Sequence, residues 1–356
     1  MAIADIDEAK LEAFIGHAAT ELGAALNVAL VTLGEELGLY RAMADGQPVT
    51  PAELADRTGT QERYVREWLN AQTASGFILY DEGAEAFVLP PEHALVLADE
   101  SSPYQMLGSF QATNAAVAMR EKIAERFIDG GGVGWHEHHH GMFHGTERAF
   151  ATAYRNFLLT EWLPAIDGLV EKLEAGAKVA DIGCGHGASS ILMAQAFPKS
   201  HFVAIDYHAE SIEVARQRAE QAGVADRITF AVAGATELPG DGYDLVAFFD
   251  ALHDLGDPHG AARRAAAALK PDGVCMVVEP IAGDSITENI NPVGRFFYGM
   301  STLVCTPGSL SQPGRAGLGT QAGEAAIADV LIASGLRSVR RVAEAPLNMV
   351  LAARPR

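Results

Sequence analysis

The chain has 356 residues, 49% hydrophobic and 20% charged, with a net charge of −20 and a pI near 4.9. That length suits two domains, or one with a large appendage, around a real apolar core. The acidity disfavours nucleic acid and anionic membrane surfaces as partners, and no basic patch offsets it. No run approaches the roughly 18–20 apolar residues of a membrane span, and MAIADIDEAK lacks the basic-then-apolar order of an export signal. Cys184, Cys275 and Cys305 lie far apart and read as reduced thiols in the cytoplasm, neither a disulfide framework nor a zinc site.

Residues 1–100 read as a small, mainly helical unit. Apolar residues recur at helical spacing over 26–40. Thr50 precedes Pro51 and is followed by Glu53, a capping box with proline at the first helical position. Thr60 with Arg63 opens a second helix through Tyr64, Val65, Trp68 and Leu69. The runs FILY and AFVL, parted by DEGAEA, predict a β-hairpin. Helix, helix and hairpin make a winged helix. Its charge argues against DNA: five Lys or Arg stand against eighteen Asp or Glu in residues 1–100.

Residues 101–165 read as a helical connector, interrupted at 128–145 by IDGGGVGWHEHHHGMFHG, whose glycines exclude a continuous helix. Helical pattern resumes at Glu147 and runs towards Trp162. His136, His138, His139, His140 and His144 crowd into this stretch. From the residues alone two readings stay open for it: the histidines are polar loop residues, or His136, His140 and His144 hold a metal at i, i+4 spacing. No neighbouring cysteine completes a four-ligand set for that last reading.

From residue 166 strands and helices alternate, which implies βαβ units and a parallel sheet. Strands are expected at 178–181, 202–205, 228–232, 245–249 and 274–279, with helices at 188–196, 210–222 and 260–269. Two closing strands, 337–343 and 348–353, make the sheet seven-stranded. The first strand leads into VADIGCGHGASS, where Gly183, Gly185 and Gly187 let backbone approach a ligand closely. Glycines alone do not separate this loop from a dinucleotide site. Asp181 does: a carboxylate there repels a pyrophosphate and attracts the ammonium of S-adenosyl-L-methionine. Asp206, 25 residues later, ends the strand HFVAID, where a carboxylate can accept both ribose hydroxyls; the alternative is a surface aspartate.

The glycine loop, Asp206 and the segment LKPDGVCMVVEP together resemble the class I methyltransferase family over 166–356. The resemblance implies an α/β, Rossmann-like catalytic domain behind an N-terminal winged-helix domain. It assigns Asp181, Gly183, Gly185, Gly187, Asp206, Tyr207 and Phe249 to the cofactor. Many relatives carry an acid after the third strand for the adenine amino group. Here Gly234 stands there, so backbone around Gly234, Ala235 and Thr236 is assigned that contact. The fourth strand ends in FFDALHDLGDP, bringing Asp250 and His253 to the sheet's carboxyl edge. That run resembles the L-H-D-W segment of small-molecule O-methyltransferases, with Leu255 in place of tryptophan. It implies that His253, assisted by Asp250, takes a proton from a hydroxyl of a small-molecule acceptor; a purely structural His253 is the competing reading.

The N-terminal unit resembles the dimerisation domain of the same enzymes, which implies a homodimer. With GWHEHHH and STLVCTPGSLSQ, the whole arrangement is similar to a group of actinobacterial winged-helix methyltransferases. The same resemblance folds the stretch 128–145 over cofactor and substrate, which implies that Trp135 with His136, His138 and His139 lines the substrate pocket. Phe297 and Tyr298 fall in a long insertion expected to form a lid over the substrate; the alternative is a helix that packs its apolar residues against the N-terminal unit. Three rival functions keep the same residues: nitrogen or sulfur methylation without a base, a cofactor-sensing transcriptional regulator, and a non-methylating lyase or cyclase that uses the sulfonium as a fixed charge.

Overall fold

In a computed structural model, which describes residues 6–355, the chain divides into two compact units. One comprises Met1–Asn114 with Gly141–Thr152, the other Ala115–His140 with Ala153–Arg356. The expected connector, 101–165, contributes residues to both.

The first unit starts with a 29-residue helix, Glu8–Glu36, capped by Asp7. It is long and apolar enough, by length and composition, to cross a membrane, which corrects the expectation that no segment comes near that limit. Helices Pro51–Thr58 and Glu62–Ala74 follow. The Thr50 and Glu53 capping box forms as the sequence predicts. Thr60 does not cap the next helix; Gln61 takes that position without a side-chain hydrogen bond. Strands β1 (Leu79–Asp81) and β2 (Ala86–Val88) pair antiparallel and complete the wing. Trp68 packs edge-on to Tyr40 at 4.9 Å and donates its ring N–H to the Leu30 carbonyl. Tyr40 donates to Gln72, which donates to Asn27, so these three buried polar side chains are paired.

The glycine-rich stretch departs from expectation. A helix spans His140–Ala153, starting seven residues before Glu147. Gly141 and Gly145 lie inside it, and at Gly145 the helix Leu107–Ala118 passes too close for a side chain. A Cβ on Gly145 would come within 2.5 Å of the Ala112 nitrogen, and one on Gly108 within 2.6 Å of the Ala149 nitrogen. Packing therefore overrides the weak helix propensity of glycine.

The second unit carries a seven-stranded sheet, all seven strands being those expected. They are β3 (Lys178–Ile182), β4 (His201–Asp206), β5 (Ile228–Val232), β6 (Tyr243–Phe249), β7 (Leu269–Pro280), β8 (Leu336–Glu344) and β9 (Asn348–Pro355). Their order is β5-β4-β3-β6-β7-β9-β8, parallel except that β9 runs antiparallel to both neighbours. β6 is buried along its whole length, as a strand covered on both faces must be. Chain direction from β3 turns one way to β4 and returns on the other side at β6, so a crevice opens between the carboxyl ends of β3 and β6. Between β7 and β8 the expected lid is helical, with Pro292–Met300, a wider π-helical turn at Ser301–Cys305, Thr306–Ser311 and Gly323–Ala333.

Gly145→Ala separates propensity from packing. Alanine gains about 1 kcal/mol in a helix interior, whereas forced overlap in a packed site costs roughly 1–3 kcal/mol. The variant is expected to melt at a lower temperature than the parent by calorimetry. A rise in melting temperature would show that the two helices are free to move apart.

Candidate active site

The loop after β3 holds Gly183, Gly185 and Gly187 at φ of 78°, 51° and 79°, a region that glycine enters without strain. Their surroundings differ. A Cβ on Gly183 would press on Ala251 at 2.8 Å, and one on Gly187 would meet Ala215 and Phe230 at 3.1 Å. Gly185 has nothing within 4 Å of that position, so open space lies against the loop.

Asp181 is 1% exposed. Its Oδ2 accepts hydrogen bonds from Ser189 Oγ (2.6 Å) and Ser190 Oγ (2.7 Å), while Oδ1 is buried without a partner. Burial pushes the carboxyl up to about 6, against the two serine hydrogen bonds that favour the charge. Asp206 anchors the loop from β4: its Oδ2 accepts from the Gly185 N–H at 2.9 Å and its Oδ1 from the His208 N–H at 2.8 Å. Burial raises this carboxyl too. The Tyr207 hydroxyl accepts the Trp135 N–H at 3.3 Å. The Gly234 N–H donates to Glu237 Oε2 at 3.0 Å, and Ala235 and Thr236 form a 3-10 turn beside it. Phe249 packs edge-on to Tyr154, centroids 5.4 Å apart.

Asp250 and His253 leave the end of β6 together. Asp250 takes a φ of 51°, strained for a residue with a side chain. Its Oδ1 accepts from Asn348 Nδ2 at 2.9 Å and its Oδ2 is buried without a partner; burial, then the charge of Glu279, pushes it well above the ordinary carboxylate range. His253 is 3% exposed. Its Nδ1 is hydrogen-bonded to Glu279 Oε2, its backbone N–H donates to Glu279 Oε1 at 3.2 Å, and its Nε2 lies 3.2 Å from Asp254 Oδ1. Burial opposes a charge on this imidazole, but Glu279 and Asp254 outweigh it and raise its proton affinity.

Of the five clustered histidines, His138 alone is buried, and both its ring nitrogens lack a hydrogen-bond partner. Burial lowers its pKa. His136, His139, His140 and His144 are exposed. The turn Trp135–Glu137 is held in the second unit by the Val133 N–H to the Pro307 carbonyl (2.9 Å) and by Lys122 paired with Glu137. Phe297 is buried and Tyr298 is 38% exposed.

Four residues carry weight that sequence reading did not give them. Ser189 and Ser190 hold Asp181, and the SS of GASS was the signal for them. Glu279 holds His253, and its place at the carboxyl end of a buried strand was visible in LKPDGVCMVVEP. Asn348 holds Asp250, and nothing in the sequence marks it out.

Residues 173–297 match the family described as a methyltransferase domain, and residues 24–99 the Rv2258c-like winged HTH domain. The chain thus carries a methyltransferase-domain match over 173–297 and a winged-helix match over 24–99. Among curated proteins it is 34% identical over 131 residues to 27-O-demethylrifamycin SV methyltransferase of Amycolatopsis mediterranei, covering 35% of this chain and 48% of that one. It is 33% identical over 122 residues to a ubiquinone biosynthesis O-methyltransferase of Bordetella avium, covering 33% and 47%. The matches thus span about half the length of these relatives. Two solved structures share the fold along nearly the whole chain. Mitomycin 7-O-methyltransferase MmcR has a TM-score of 0.69 at 21% identity, covering 98% of this chain and 99% of that one. Human N-acetylserotonin methyltransferase, in complex with S-adenosylmethionine, has a TM-score of 0.70 at 16% identity, covering 100% and 99%.

Asp181 yields a pH test. Its folded pKa lies above the unfolded value of about 3.9, so the fold binds a proton more readily than the unfolded chain. Above pH 6 the ionised group costs stability, roughly 3 kcal/mol for a two-unit shift, and the cost fades as pH falls through 6 towards 4. Asp181→Asn, free of ligand, is expected to melt above the parent at pH 8, with the difference closing at pH 4. A constant difference across that range would remove ionisation as the cause.

Proposed function

We propose that the chain is an S-adenosylmethionine-dependent methyltransferase that acts on a hydroxyl of a small molecule. The observation that carries this reading is the pairing of a buried carboxylate oxygen without a partner, Asp181 Oδ1, with the open space against Gly185 in the same crevice. A cationic amino acid group answers the first and a flat backbone approach the second; a diphosphate would be repelled by Asp181. The fit supports assigning Asp181, Gly183, Gly185 and Gly187 to the amino acid end of the cofactor. Asp206 with Tyr207 is assigned the ribose. Its carboxylate oxygens already accept one N–H each, which leaves lone pairs for hydroxyls. Gly234, Ala235, Thr236 and Phe249 are assigned the adenine side. The Gly234 N–H is already given to Glu237, so contact there falls to the neighbouring backbone groups.

When bound, S-adenosylmethionine supplies an electrophilic methyl group on a sulfonium. The chain's part is to align the acceptor and take one proton. His253 Nε2 is assigned that proton, with Nδ1 fixed by Glu279 so that the ring cannot turn. Asp250, whose carboxyl burial pushes well above the ordinary carboxylate range, is assigned a hydrogen-bonding role beside it. Trp135, His136, His138 and His139, with Phe297 and Tyr298, are assigned to the acceptor. Within that set His138 has the strongest support, as a buried ring whose two nitrogens have no hydrogen-bond partner. The names of the relatives support oxygen as the acceptor atom. Three buried thiols support a reducing compartment, the cytoplasm.

The direct experiment incubates the protein with S-adenosylmethionine and a panel of phenols and hydroxylated polyketides, and measures release of S-adenosylhomocysteine. Asp181→Ala and Gly185→Val are each expected to abolish cofactor binding by calorimetry. His253→Ala is expected to lower turnover about 10²–10⁴-fold with cofactor affinity nearly intact. Unchanged turnover in that variant would transfer the proton to another group or make the acceptor a nitrogen or sulfur.

The winged-helix unit is assigned to homodimerisation. The helix Glu8–Glu36 leaves Phe14, Ile15, Leu22 and Leu26 exposed, the last two at 71% and 70%. Such a face needs a cover. A second copy fits better than an anionic membrane because the same helix carries Glu8, Glu12, Glu21, Glu35 and Glu36 against a single lysine. Light scattering is expected to give twice the chain mass, and Leu22→Glu with Leu26→Glu to give a monomer. A monomeric parent, or one that floats with vesicles, would exclude this role.

A further inference from the structure

Cys305 is the one buried thiol that meets other metal-type donors among the described residues. Its Sγ, an imidazole nitrogen of His253 and a carboxylate oxygen of Asp254 all lie within 4.8 Å of one another. Cys305 is 8% exposed and His253 3%. Asp254 Oδ1 sits 3.2 Å from His253 Nε2, yet has no hydrogen bond of acceptable geometry and is itself buried. A zinc ion bonded at about 2.0–2.3 Å in tetrahedral geometry spaces its ligand atoms roughly 3.3–3.7 Å apart. Closing from at most 4.8 Å to that spacing is a movement of about 1–1.5 Å at most.

Four further features suit an ion. His253 gives its other ring nitrogen to Glu279, the carboxylate–imidazole arrangement that stands behind ligating histidines and fixes the ring. The ligand-bearing segments are bolted together. Gln312 Nε2 donates to the Asp254 carbonyl at 2.9 Å, Gln312 Oε1 accepts from the Gly256 N–H at 3.1 Å, and Ser309 Oγ donates to the Leu255 carbonyl at 2.7 Å. Cys305 ends a π-helical turn, a local irregularity that regular packing does not require and that recurs at functional sites. His138, whose ring nitrogens are buried without partners, lies in the electrostatic field of Asp254.

We propose that His253 Nε2, Asp254 Oδ1 and Cys305 Sγ form a site for a thiophilic divalent cation of the zinc class. One sulfur, one nitrogen and one oxygen select zinc or cobalt over magnesium or calcium. Three protein ligands leave the fourth position open, as in a site that exchanges its ion or binds a further ligand. The exposed histidines of 136–144 offer no sulfur. One consequence rests on the function proposed above: an ion on Nε2 removes the lone pair assigned to the acceptor's proton, so zinc inhibits the transfer.

Cobalt(II) reads the site without reference to methylation, because only a thiolate ligand adds a sulfur-to-metal charge-transfer band in the near ultraviolet. The chelator-treated parent, in buffer without added thiol, is titrated with cobalt and then with zinc. A charge-transfer band that saturates at one equivalent and is erased by zinc is expected. Cys305→Ala should lose the band, and Cys305→Ser, which keeps the volume and the fold, should lose it while still binding one cobalt by calorimetry. Glu279→Gln is expected to weaken cobalt about 10–100-fold. Absence of the band in the parent, or its survival in either Cys305 variant, overturns the proposal. Zinc that binds with the band displaced but leaves turnover unchanged would spare the site and count against His253 as the base.

Discussion

The carboxyl edge of the sheet concentrates negative charge where water is scarce, and the rest of the second unit is arranged around that constraint. Asp181, Asp206, Asp250 and Glu279 end or follow β3, β4, β6 and β7, and three of the four are at most 8% exposed. Burying an ionised carboxylate is expensive unless it is paired or hydrogen-bonded. Each acid therefore has dedicated donors: two serines for Asp181, two backbone N–H groups for Asp206, Asn348 for Asp250 and the imidazole of His253 for Glu279. The donors come from segments that would otherwise have no reason to meet. Helix 188–196, the loop after β4, strand β9 and the turn after β6 are all tied to one edge by this need.

Satisfaction is incomplete, and the gaps are informative. One oxygen of Asp181 and one of Asp250 remain without donors, and both ring nitrogens of His138 do as well. A protein stable by only a small margin keeps such groups where they serve a ligand, since each costs about 1–3 kcal/mol. A cationic ligand beside Asp181 would replace a penalty with an attraction, so the free crevice is held in a state less stable than the occupied one. Strain points the same way. Asp250 adopts a left-handed backbone conformation that an asparagine or glycine would enter more easily.

The sheet was legible because its strands are short apolar runs between glycine-marked turns, and pattern suffices for that. The glycine loop and the acids of β3 and β4 were legible for the same reason, since local spacing places them at strand ends. What escaped depended on register or on packing between distant segments. Glu279 meets His253 only because Phe249 of β6 pairs with Val278 of β7, a fact the sequence holds 26 residues apart. The helix at His140–Ala153 was hidden by its glycines, which read as breakers until a second helix is laid against them. Cys305 read as an ordinary thiol because its companions stand in another segment, and the apolar helix Glu8–Glu36 escaped because its charges interrupt any continuous run.

His253 gathers the consequences of this geometry. A ring fixed at one nitrogen by a carboxylate can offer the other nitrogen to a proton, to a metal ion or to a neighbouring acid, and the same fixation serves all three. Glu279 holds the ring at Nδ1, while Asp254 and Cys305 stand close to it on another side. Exchange among these partners needs no large motion, because the turn 252–254 is pinned through Gln312 and Ser309 to the segment that carries Cys305. On the roles proposed above, such a site would respond to what enters it through occupancy of one nitrogen, and its selectivity would lie in the chemistry of three neighbouring atoms instead of in movement of the fold.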